Sequence, residues 1–145
     1  MSEQERNKSL MRTVARGFAN GDLGPLKAAL HDDVVWRSRT PSSHFRFAGE
    51  HHRRDGVTEH HALVLSAYDF LRFEPLEIVA EGETVWGLFE TELLHRTSGS
   101  RAKLEMAIRW IVREGKIFLH ENFFDTASLL IQQGDLPPPN AANAT

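Results

Sequence analysis

Apolar residues recur at helical spacing near the start of the chain and at strand spacing through its second half. Leu10, Met11, Val14, Ala15 and Phe18 fall on one stripe of a 3.6-residue repeat. Ser2 with Glu5 forms a capping box that starts this helix, and Asn20-Gly21 ends it. Pro25 suits the first turn of a short second helix carrying Leu26 and Leu30. Val34-Val35-Trp36 reads as a buried strand, and Pro41 and Gly49 mark a loop after it. Asp55 is placed to cap a third helix in which Val57, His61, Val64, Leu65 and Tyr68 lie near one stripe. From Arg72 onward the period is that of strands, interrupted by turn signals at Gly82, Thr97-Ser98-Gly99 and Glu114-Gly115. A four-strand meander is expected.

Helices first and a long meander last predict an α+β fold, with about three N-terminal helices covering one face of a curved antiparallel sheet. The chain has 145 residues, enough for one domain with its own core. That domain is expected over residues 5–131. Gly134 and Pro137-Pro138-Pro139 open a Pro/Ala/Asn tail, 132–145, predicted to be dispensable for stability. No internal repeat is visible.

Charge narrows the partner. With 17 Lys+Arg against 20 Asp+Glu, a net charge of -3 and no block of like charge, the chain has no electrostatic footprint for nucleic acid or an anionic membrane. A small neutral or organic partner is expected. The absence of cysteine excludes disulfides, thiol nucleophiles and cysteine metal sites. MSEQERNKSL has no basic segment followed by an apolar one, and no run approaches the roughly 20 apolar residues of a membrane span. A soluble, cytoplasmic protein is the expectation.

Candidate chemistry concentrates in GKIFLHENFFD, residues 115–125. Asp125 follows two phenylalanines: walled by rings it becomes a desolvated acid/base, and at a strand end it caps the turn beside Thr126 and Ser128. Alternation puts Ile117, Leu119, Glu121, Phe123 and Asp125 on one face and Phe118, His120, Asn122 and Phe124 on the other. Both faces are part apolar, so either could line a pocket, and a bulge would reverse the parity. Arg109 sits mid-strand in AIRWIV, to be paired with Glu90, Glu92 or Glu105 or to serve a ligand oxyanion.

Eight histidines are many for this length, and Glu50-His51-His52 and Glu59-His60-His61 repeat one tripeptide. Adjacent helix residues diverge by about 100°, so His60 and His61 cannot chelate together, and no metal site is expected. His61 reads as a hydrogen-bonded core residue. His51 or His52 belongs at a pocket mouth or on the solvated surface. Trp36, Trp86 and Trp110 read as packing or dimer residues first and ligand platforms second.

The order of DDVVW, FAGEHHRRDGV leading into a helix, the RTSG turn and REGKIFLHENFFD resembles the SnoaL-like group of the nuclear transport factor 2-like superfamily over about residues 8–126. The resemblance implies a cone-shaped barrel around an apolar cavity, commonly a homodimer, used by polyketide cyclases, steroid isomerases, epoxide hydrolases and non-catalytic proteins. The steroid-isomerase constellation is missing: its base and two oxyanion donors fall near Ser38, Val14 and Ile108. The arginine and aspartate of limonene-type epoxide hydrolases are also missing, since Phe89-Glu90-Thr91-Glu92-Leu93 offers only glutamates. SnoaL-like cyclases demand least, an acid/base aspartate at the position of Asp125. The resemblance thus implies a cofactor-independent isomerase or cyclase acting by proton transfer next to a carbonyl, with Asp125 as acid/base and Arg109 or a histidine as electrostatic helper. The candidate ligand pocket comprises Trp36, His52, His61, Tyr68, Trp110, Glu121 and Phe123, for a small apolar or polycyclic ligand. A non-catalytic ligand-binding or dimerisation domain is the other reading. Large apolar residues on both faces, Val85, Phe89 and Leu93 against Trp86, Leu88 and Leu94, imply that a second copy covers the outer one.

Overall fold

The computed structural model describes residues 1–138. Helix α1 (Glu3–Ala19) opens with the Ser2 hydroxyl accepting from the backbone N–H of Glu5, as the capping box requires. Helix α2 (Gly24–Ala29) leads directly into strand β1 (Leu30–Ser38). A short strand β2 (Gly49–His52) then precedes helix α3 (Arg53–Ala67), so the expected loop after β1 ends in a strand. His52 stands at the N-cap of α3, three positions before the expected cap Asp55, which lies inside the first turn. The meander follows as β3 (Tyr68–Glu81), β4 (Thr84–His95), β5 (Arg101–Arg113) and β6 (Lys116–Phe123). Tyr68 therefore begins a strand and does not end a helix. Helix α4 (Thr126–Gln132) closes the described chain.

The six strands form one sheet in the order β2-β1-β6-β5-β4-β3. β1 pairs with β6 in parallel, Trp36 opposite His120 and Arg37 opposite Glu121, while every other pairing is antiparallel. This mixed, curved, unclosed sheet carries the helices on its concave face. The β5–β6 turn has both Glu114 (φ 50) and Gly115 (φ 74) in the left-handed region, which matches a two-residue hairpin loop to the twist of its strands.

Parity on β4 is as expected: Val85, Phe89 and Leu93 are buried and Trp86 is exposed. Gly87 lies between them because a Cβ there would meet Phe89 Cε2 at 2.5 Å and Met11 Sδ at 2.7 Å. Its missing side chain lets α1 pack close to the sheet. Two apolar clusters result, one beneath α1 around Met11, Phe73 and Phe89, and one at the end of the cone around Phe45, Phe47, Tyr68 and Leu129.

Residues just beyond 131 make contacts with the domain. Gln132 exchanges two hydrogen bonds with the Lys103 backbone (2.8 and 2.9 Å), and the buried Gln133 accepts from the Tyr68 hydroxyl at 2.6 Å. Leu136 packs on the second cluster. The remainder of the expected tail, 139–145, lies outside the described residues.

Candidate functional site

Between the helices and the concave face lies a cavity of about 100 Å³. Met11, Val14 and Phe18 come from α1, His60, His61 and Val64 from α3, and the meander adds rings such as Phe73 and Phe89. Among the described residues no Asp, Glu, Lys or Arg lines it. Its volume is of the order of the roughly 150 Å³ that accommodates benzene, a single ring and not a polycycle.

Which face of β6 turns inward is decided by one residue. Ile111 pairs with Leu119 and Val112 with Ile117, so Phe118 is an extra residue and the parity reverses there. His120, Asn122 and Phe124 consequently reach the cavity wall. Glu121 and Phe123 do not: both point to the convex side, Phe123 exposed and near Trp86 (ring centroids 6.1 Å).

Arg109 is also on the convex side, and its partner is none of the three expected glutamates. It donates to Glu121 at 2.7 Å, and Arg39 donates to the other carboxylate oxygen at 2.9 Å, with Arg37 at 3.9 Å. Burial pushes the Glu121 carboxyl up, but the hydrogen bond and charge of Arg39, then the charges of Arg109 and Arg37, outweigh it and hold the group below its usual range. His52 is exposed, its ring 3.9 Å from the Glu50 carboxylate, and away from the cavity.

Asp125 is exposed and lies off the cavity wall. It is the N-cap of α4, accepting from the backbone N–H of Ser128 at 2.9 Å, so the capping alternative describes its position. The chain turns outward into α4 just after Phe124, which takes the carboxylate away from the ring-lined interior. Asn accepts the same bond, so Asp125→Asn should change stability little, while Asp125→Ala should cost about 1 kcal/mol. Urea denaturation of both variants checks this; equal losses would remove the capping role.

Of the expected pocket residues, Trp36, His61, Tyr68 and Trp110 do line the cavity. Tyr68 is spent on its bond to Gln133, and burial pushes its hydroxyl up to about 12. The polar features of the wall are instead histidines. His60 Nδ1 lies 3.3 Å from the Phe47 carbonyl and His61 Nδ1 lies 2.9 Å from that of Val57. A carbonyl only accepts, so each Nδ1 carries the hydrogen and each Nε2 is left as a lone-pair acceptor. His120 is the reverse case. Trp110 Nε1 donates to its Nδ1 at 2.9 Å, so the hydrogen is on Nε2. Its ring stacks on Trp36 at 3.6 Å, and His61 meets the same indole edge-on at 5.2 Å.

Burial disfavours the charged form of all three. It brings His60 down to about 3, assisted by His61 and His51, lowers His61, and takes His120 well below the usual range. The cavity therefore offers neutral imidazoles with fixed tautomers, two bases and one donor. His60 and His120 were not singled out in the sequence. Their neighbours gave no clear signal, since His60 stands between Glu59 and His61 and His120 between Leu119 and Glu121. Among the described residues, no group of three or more His, Asp or Glu is arranged to hold a metal ion. No helix among them is long and apolar enough to cross a membrane.

Solved structures share this architecture. An NTF2-like protein of unknown function from Burkholderia pseudomallei superposes with a TM-score of 0.81 at 26% identity, covering 91% of this chain and 98% of the other. TerC, co-crystallised with polyporic acid, gives 0.79 at 23% identity over 89% and 98% of the two chains. An LEH-like epoxide hydrolase of M. tuberculosis gives 0.72 at 18% identity over 92% and 93%. No curated protein matches the sequence. The SnoaL-like domain matches residues 11–120, which is most of the chain, and the protein belongs to that family of the NTF2-like superfamily.

Proposed function

We propose that the protein binds a small, largely apolar ligand in this cavity and moves a proton next to its carbonyl group without a cofactor, as an isomerase or cyclase does. In this reading His61 Nε2 takes the proton from the carbon beside the carbonyl, and the electron pair moves onto oxygen. His120 Nε2–H donates to that oxygen as its charge develops. Protonated His61 then returns the proton to another carbon of the same ligand. The single supporting observation is the fixed Trp110–His120 tautomer beside His61 on one indole, in a wall that among the described residues carries no charged side chain. An enolate forming in a low-dielectric site raises the basicity of the nearby imidazole, which offsets its resting depression.

A direct test uses a one-ring substrate, cyclohex-3-enone, whose conversion to cyclohex-2-enone is followed by ultraviolet absorbance. The purified protein should accelerate it, and His61→Gln or His120→Gln should each lower the rate by roughly 10²-fold or more. No acceleration at all would leave the second reading, a non-catalytic binding domain. That reading is favoured by the absence of any carboxylate on the wall among the described residues.

We also propose that the protein works as a homodimer through the convex face of the sheet. Trp86, Val79 and Phe123 are exposed there. Arg37, Arg39 and Arg109 gather towards the β1 side, and Glu90 faces Glu105 across β4 and β5. Two-fold packing sets the acidic region of one copy against the arginines of the other. Trp86→Glu should turn the dimer into a monomer in sedimentation at micromolar concentration; wild-type protein that is already monomeric removes the proposal.

A further inference from the structure

The polar groups around the cavity are unequal in kind. His60 Nε2 and His61 Nε2 are acceptors, and none of the three Nε2 atoms has a hydrogen-bond partner among the described residues. Asn122 adds a third acceptor. Its amide nitrogen approaches Met106 Sδ at 3.8 Å, which fixes the nitrogen on that side, and its Oδ1 is buried with no partner. Against these three stands one unused donor, His120 Nε2–H. Of these only Asn122 Oδ1 is both buried and unpaired; such an acceptor left unmade costs about 1–3 kcal/mol, and with the two unpaired imidazole nitrogens it leaves the wall short of hydrogen-bond donors.

We infer that the ligand supplying them is a neutral single ring carrying two or more hydroxyl groups, a phenol-like compound. This rests on the proposed use of the cavity as the ligand site and narrows the class of molecule that enters it. Each hydroxyl donates to one of His60 Nε2, His61 Nε2 or Asn122 Oδ1, and one hydroxyl or carbonyl oxygen accepts from His120. A plain hydrocarbon fills the space but leaves every acceptor unpaired. A carboxylate is the wrong partner twice over: it brings no hydrogen, and no lysine or arginine among the described residues lines the wall to hold its charge. The volume of about 100 Å³ sets the one-ring limit.

Three probes of similar size separate these cases on the full chain at neutral pH: resorcinol, toluene and benzoate. Resorcinol should bind roughly tenfold or more tighter than toluene, as expected for at least one acceptor satisfied, and benzoate should not bind. Resorcinol should also shift the Nε2 nitrogen signals of His60 and His61 in NMR. Asn122→Leu, close in size, should narrow the preference over toluene while leaving toluene binding intact. If Asn122→Leu does not fold, the nitrogen shifts of the wild-type protein decide alone. Toluene binding as tightly as resorcinol, or benzoate binding best, overturns the inference. No probe binding while cyclohex-3-enone is still isomerised overturns it and leaves the proton-transfer reading standing. Resorcinol binding without isomerisation does the opposite.

Discussion

Acidifying the protein from about pH 7 to about pH 4.5 should unfold it cooperatively, with uptake of two to three protons. The cause is the buried imidazoles. In the unfolded chain each takes a proton near 6.5, but in the folded protein His60 does so only at about 3, and His61 and His120 are also depressed. Above about 6.5 both states hold neutral rings and the contribution to stability is whole. Below it the unfolded chain binds more protons, so stability falls with pH until the folded-state values are reached. Each histidine contributes about 1.4 kcal/mol per pH unit in that window, so His60 alone costs about 2.7 kcal/mol by pH 4.5. Glu121 adds a further loss below this window, because its depressed carboxyl keeps its stabilisation down to the ordinary carboxylate value and loses it as the pH falls through its folded value. Against a typical stability of about 5–15 kcal/mol, the sum is large. Urea midpoints at several pH values measure the slope. A slope near zero between about pH 6.5 and 5 is incompatible with three neutral buried rings.

Phe89→Ala should cost about 3–5 kcal/mol and lower the melting temperature by on the order of 10 °C. Phe89 is 1% exposed, and its ring stacks on Phe73 at 4.6 Å with an interplanar angle of 4°. It also lines the cavity, so the lost ring enlarges that space and does not leave an isolated void. Benzene should then bind the variant more tightly than the wild type and recover part of the lost stability through its preference for the folded state. Calorimetry with and without benzene reads both effects. A loss below about 1 kcal/mol would mean that neighbours collapse into the gap.

The sequence carries local structure more plainly than it carries pairing. Ser2, Glu5 and Asn20 bound α1 because caps act within one turn, and Glu114-Gly115 announces its hairpin because only certain residues tolerate those dihedrals. Nothing near Trp36 says that it lies beside His120, since that parallel register is set by packing between segments far apart in the chain. Which face of β6 turns inward is hidden at Phe118 for the same reason. One extra residue in the pairing exchanges the faces, so Glu121 and Phe123 leave the cavity while His120 and Asn122 enter it. Arg109 was recognised as a charge needing a partner, but the partner stands across the strand pair at Glu121, and spacing along the chain does not reveal it. His61 was legible from its place on the α3 stripe. His60, one position away, was not, because a helix of this mixed pattern buries both.

The position of β6 between β1 and β5 has a consequence for how the protein is made. The first strand waits for a central neighbour that is synthesised about 85 residues later, the register joining Leu30 with Ile117 and Trp36 with His120. Until β6 leaves the ribosome, β1 and β5 each present an open edge, and the Trp36 indole lacks the imidazole it stacks upon. Such long-range closure raises the contact order and slows folding. The nascent chain is thus exposed to wrong edge-to-edge pairing over most of its synthesis, and this interval, not the finished fold, is where a holdase chaperone would act.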